Sequence, residues 1–160
     1  HKEWAEKYRM FLYNDTAVEA DVELGEKRKC LSNQNRFAMF HGWIPELEDI
    51  LEVYPQQEKA MTYLGLSYLL NKDMEGFSRF LDKYYGSEAL KELPSVFQQG
   101  VIALFQQEKE RWEDYRLSPQ VVKLYNQYRA LYFKNQRQPN LKNVMARSFR
   151  HTFWYYLMFV

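Results

Sequence analysis

The sequence predicts an all-α fold of antiparallel helix pairs, arranged in its middle as a TPR-like right-handed helical stack. Three observations carry that expectation. Apolar residues recur at three- and four-residue spacing along most of the chain, the period of one buried helix face. Six glycines and five prolines in 160 residues are too few breaks for a many-turned β-sandwich. The spacing Met61-x2-Leu64-Gly65-x2-Tyr68 reproduces the first helix of a TPR unit, with Met in place of Trp.

Taken in order, residues 1–13 read as a helix with Trp4, Tyr8, Phe11 and Leu12 at helical spacing. Asn14-Asp15-Thr16 stops it and caps a second helix over 17–29, whose apolar face (Val18 and Val22 beside Gly25) is thin. Residues 31–40 predict a short helix with Phe37, Met39 and Phe40, ended by Gly42. After Ile44-Pro45, residues 46–53 place Leu47, Ile50 and Leu51 on one side and Glu46, Glu48, Asp49 and Glu52 on the solvated one. Pro55 closes that helix. Residues 58–70 follow as a strong helix carrying Met61, Leu64, Tyr68 and Leu69.

Asn71-Lys72-Asp73 is a turn, with Asp73 the N-cap of a helix over 74–85 that buries Phe77, Phe80, Leu81 and Tyr84 and stops at Gly86. Leu93-Pro94-Ser95 opens the next helix, with Val96, Phe97, Val101, Leu104 and Phe105 as its apolar stripe. A charged segment over 108–114 surrounds Trp112. Ser118-Pro119 sets an N-cap before proline at the first helical position and begins a long helix to about residue 137. Gln138-Pro139-Asn140 breaks it, and a final helix spans roughly 142–159. That last helix is apolar or aromatic nearly all round, so it needs cover on several sides; closure of the stack satisfies this, and a homodimer contact is the alternative. Short helices joined by short turns pack as antiparallel neighbours. Residues 1–160 are thus expected to form a single helical domain, TPR-like over about 58–107 and closed by basic, aromatic-rich helices over about 118–160.

Gly65 has a physical role in this reading: the paired helix crosses close there, and a Cβ would hold it off. A degraded second copy is centred on Gly100, 35 residues on, near the roughly 34-residue TPR period, with Val96, Gln99 and Ala103 in place of the Trp, Leu and Tyr. On that register Lys59, Thr62, Leu66 and Leu69 face a concave groove, joined by Phe97, Val101 and Leu104 from the next pair. Their apolar character also fits a groove filled by the C-terminal helices.

Chemistry has little to stand on. Cys30 is a lone thiol, expected to be packed. His1, His41 and His151 lie scattered without metal-ligand spacing, and no phosphate-cradling glycine loop occurs. No catalytic residue, metal or cofactor is therefore expected. The net charge of +1 hides an asymmetry. From residue 115 onward there is no acid and there are eight bases; the first 114 residues hold fourteen bases against all 21 acids, net −7. Lys123, Arg129, Lys134, Arg147 and Arg150 make a candidate anion- or partner-binding patch, interleaved with Tyr125, Tyr128, Tyr132 and Phe133. Nucleic acid is disfavoured, because the chain as a whole lacks a basic bias; an anionic surface is a further reading. The leading expectation is a non-catalytic protein-interaction or scaffolding domain. The alternative is a small-ligand-binding or enzymatic domain with an aromatic pocket near Trp43, Trp112 or Trp154.

The stretch from Tyr63 through Gly65, Asn71-Lys72-Asp73 and Phe77, with Leu93-Pro94 ahead of Phe97-Gln98-Gln99 and the closing His151-Thr152-Phe153-Trp154-Tyr155-Tyr156, resembles the C-terminal part of uncharacterised Bacteroides-type multi-pass membrane proteins. The resemblance covers about residues 31–160 and rests on packing motifs. It implies a soluble domain of a larger bacterial membrane-associated protein, held to the membrane by parts outside this chain. It transfers no catalytic residues.

Overall fold

A computed structural model describes residues 2–29 and 42–160, and among these the chain is all-α, with eleven α-helices and no strand. The helix expected over 31–40 lies outside the described residues, as do His1, Cys30 and His41. The chain divides into two compact units, His1–Ala60 and Met61–Val160.

The first unit holds α1 (Lys2–Phe11), α2 (Asp15–Ala20), α3 (Val22–Lys29) and α4 (Ile44–Val53). Along α1 the expected stripe stacks on itself, with ring centroids 4.7 Å apart for Trp4–Tyr8 and 5.7 Å for Tyr8–Phe11. Asn14 caps α2 by accepting from the Ala17 N–H at 3.0 Å. The single helix expected over 17–29 is in fact two. Asp21 adopts an extended conformation and its Oδ1 accepts from the Glu23 and Leu24 N–H groups at 3.1 and 2.9 Å. Those are the orphan donors of a new helix start, so the carboxylate ends α2 and begins α3 in one residue.

The second unit takes α5 (Glu58–Leu70) from Met61 on, then α6 (Met74–Tyr84), a 3-10 turn over Glu88–Leu90, α7 (Ser95–Leu104), α8 (Arg111–Asp114), α9 (Pro119–Asn135), α10 (Leu141–Phe149) and α11 (Phe153–Phe159). Between α5 and α6 the Asp73 N–H donates to the Tyr68 carbonyl at 2.9 Å and Lys72 takes the left-handed position, φ 55°. This is the usual C-terminal lock of a helix, with lysine where glycine is commonest. Asp73 then accepts from Gly76 N–H at 2.7 Å and starts α6.

The core of this unit is an aromatic cluster set into two glycines. The Phe97 ring meets Phe77 and Phe80 edge-on, each at a centroid distance of 5.6 Å. A Cβ on Gly65 would collide with that Phe97 ring and stand 2.9 Å from Phe80 Cε1; one on Gly100 would stand 2.6 Å from Phe77 Cε1. The close approach expected at Gly65 is present, but what fills it is a ring rather than a helix backbone.

Adjacent glutamines on α7 then fix the closing helices. Gln98 Oε1 accepts from the Ser118 N–H at 2.8 Å, at the start of α9. Gln99 Oε1 accepts from the Phe153 N–H at 2.7 Å, and its backbone carbonyl accepts from Trp154 Nε1 at 2.9 Å. Both side-chain bonds go to backbone donors that a helix start leaves unpaired. The final helix expected over 142–159 is accordingly broken into α10 and α11. Thr152 donates to Phe149 O at 2.8 Å and accepts from Tyr155 N at 3.3 Å, capping a fresh helix whose first N–H is already held by Gln99.

Candidate functional site

Helices α9 and α11, with Gln106 from the segment after α7, line a half-open aromatic pocket of about 270 Å³ within the second unit. Its inner wall comes from Tyr125 and Tyr128 on α9 and Trp154 on α11, all buried. The Trp154 ring lies 4.9 Å from Tyr125 and 5.8 Å from Tyr128, tilted to both. Tyr128 ties the two helices by donating to the Trp154 carbonyl at 3.3 Å, with Met158 Sδ at 3.5 Å. The rim is different in kind: Phe133 and Met158 are 55% and 50% exposed.

One cation stands at this rim. The Arg129 guanidinium lies over the Tyr125 ring at 5.8 Å and the Phe133 ring at 5.6 Å. No carboxylate among the described residues pairs with it, and the surrounding segment from residue 115 on contains none. Burial raises the Tyr125 hydroxyl pKa above its ordinary value, opposed by the charge on Arg129. Burial raises Tyr128 further, to about 12, helped by Tyr132 and Tyr125. Both hydroxyls are therefore neutral at physiological pH, so Arg129 supplies the charge.

The other residues singled out by the sequence go to separate places. Of the basic patch, only Arg129 lines the pocket. Lys123 borders a shallow depression with Leu117, Pro119 and Val122, Lys134 is exposed on α9, and Arg147 and Arg150 are exposed on and just after α10. Of the groove residues, Leu69, Phe97 and Val101 are sealed in the core, Thr62, Leu66 and Leu104 are half-buried, and Lys59 is exposed. The three candidate tryptophans also differ. Trp43 is exposed, Trp112 is buried with its Nε1 donating to Phe105 O at 2.8 Å, and Trp154 alone lines this pocket. Sequence reasoning names Gln98 and Gln99 only as repeat and motif positions and misses their role in holding the starts of α9 and α11. The signal that could have found them is a pair of long amides inside an otherwise apolar stripe, which must find partners if buried.

Among the described residues, no three His, Cys, Asp or Glu side chains gather as a metal site would require, and no helix is long and apolar enough to cross a membrane. The chain belongs to the family of unknown function DUF6057, which matches residues 1–160. No curated protein and no solved structure matches it.

Proposed function

We propose that this member of the DUF6057 family is a protein-interaction domain: a TPR-like stack of α5, α6 and α7, closed by α9 to α11, that displays its binding face on α9 and α11. The TPR-like reading draws on the α5 spacing, since Met61, Leu64 and Tyr68 are all buried beside the closely approached Gly65. The observation that carries the functional reading is the contrast of exposure. The Phe77, Phe80 and Phe97 rings are closed to solvent, whereas Phe133 and Met158 stand half in water beside Arg129, which no carboxylate among the described residues pairs. Exposed aromatic, Met and Arg side chains around a buried apolar pocket are the composition of an interface centre. We further propose, from the resemblance of the 31–160 motifs alone, that the domain is part of a larger membrane-associated protein.

A small-ligand reading is favoured by the same pocket. Its volume of about 270 Å³ lies just below the roughly 300–1,000 Å³ of pockets that engulf a whole ligand, which suits one inserted side chain better. The test places a photo-reactive residue at Tyr132 or Phe133 on the pocket side of α9, and separately at Glu75 or Arg79 on α6, in the full-length protein in its native cells. Discrete polypeptide adducts from the α9 positions and none from α6 are expected. Equal labelling from both helices would remove the assignment of the face.

A further inference from the structure

We propose that the α9/α11 pocket takes an aromatic side chain presented by an acidic peptide segment, with Arg129 receiving a carboxylate next to that side chain. This deepens the interaction reading above and rests on it.

The occupant follows from shape and charge together. The cavity of about 270 Å³ has three buried rings for walls, so its contents must be apolar and of side-chain size. Trp154 and Tyr125 are in contact, with centroids 4.9 Å apart and planes tilted by 49°, so together they form one continuous wall against which an incoming ring can pack. At the mouth, Arg129 is held by two rings and by no carboxylate among the described residues. A guanidinium stacked on aromatic faces keeps its in-plane N–H donors free for an acceptor, and a carboxylate matches that fork best. Flanking acids would also meet the uncompensated charge of residues 115–160, which hold eight bases and no acid.

A single-stranded nucleic acid answers the same aromatic-plus-cation description less well. It needs a track of cations along successive phosphates and open ring faces for stacking. Here one cation lines the pocket, and Lys123, at the shallow depression on α9, is not among the residues that line it.

The probe is a fluorescein-labelled acidic peptide with one central Phe, titrated into the full chain and read by anisotropy. Saturable binding is expected, and replacing the Phe by Ala should abolish it. Arg129→Gln should weaken it about tenfold, the worth of one charge-assisted hydrogen bond, while Arg129→Lys recovers part. Phe133→Ala should weaken it with unchanged thermal unfolding, which separates binding from folding. The proposal is overturned if the Phe and Ala peptides bind alike, or if Arg129→Gln leaves affinity unchanged. Tighter binding of oligothymidylate overturns it in favour of nucleic acid; tighter binding of free phenylacetate does so in favour of a small acid. If the peptide fails while photo-adducts still map to α9, the occupant is wrong and the interaction face stands.

Discussion

The second unit contains two aromatic clusters, and they differ in what lies opposite the rings. In α5–α7, Phe77, Phe80 and Phe97 press into Gly65 and Gly100, and the fit is closed on every side. In α9–α11, Tyr125, Tyr128 and Trp154 pack on one another and together wall a pocket with an arginine at its mouth. A ring that is also received by a glycine is sealed into core; the rings along α9 and α11, which pack on other rings without such a receiver, leave a pocket beside them. Aromatic content alone therefore does not say which cluster is structural. The residue that receives each ring does.

The sharpest way to break this comparison is at its closed end. Phe97 is fully buried against two rings and a glycine. Phe97→Ala removes the ring and leaves a cavity between α5, α6 and α7, so a loss of about 3–5 kcal/mol is expected by urea denaturation. A loss below about 1 kcal/mol would mean the α5–α7 cluster repacks freely, against the interior density expected of a closed core.

That closed end is also the legible one. Hydrophobic period and glycine placement over 58–105 mark the helices, the turn at Asp73 and the close approach at Gly65. The receiving side of Gly65 is not legible, because nothing local says that a residue 32 positions away will supply the ring. The break at Thr152 is only partly legible. Threonine is an ordinary N-cap, but Phe153 to Phe159 is apolar enough to continue α10, and the second hold on the new start comes from a distant Gln99 taking the Phe153 N–H. The pocket is half legible: Arg129 and the tyrosines stand out, but Tyr125, Tyr128 and Tyr132 at i, i+3, i+7 fit core and site equally well.

The second-largest effect tests what joins the two clusters. Gln99→Met keeps the shape but leaves the buried Phe153 N–H without its acceptor, at about 1–3 kcal/mol. Backbone hydrogen exchange should localise the loss to α11, with α5–α7 amides keeping most of their protection. Uniform loss across both clusters would show that α11 and the core unfold as one unit.

Tyr128 gives a smaller effect with a direction set by pH. Its pKa is raised from 10.0 to about 12, chiefly by burial. Between those values the unfolded chain releases a proton that the native chain keeps, so stability is intact below about pH 10 and falls as pH rises toward 12. Tyr128→Phe should cost about 1 kcal/mol at neutral pH, through the lost bond to Trp154 O, yet flatten the alkaline decline. An alkaline unfolding curve of unchanged steepness would place the titrating group elsewhere.

The smallest effect on stability is expected at the open end, where the comparison is most useful. Phe133 is more than half exposed, and its contacts are the Arg129 guanidinium and the Tyr132 ring. Phe133→Ala should shift unfolding by no more than about 0.5 kcal/mol, the range of surface substitutions that leave no cavity. A phenylalanine of that exposure contributes little to folding and still carries a full ring of apolar area. If chemical denaturation showed a loss comparable to Phe97→Ala, the α9–α11 rings would be core like the others, and the pocket between them would be only an imperfection in packing. A negligible loss instead leaves the ring's area free to serve whatever fills the cleft.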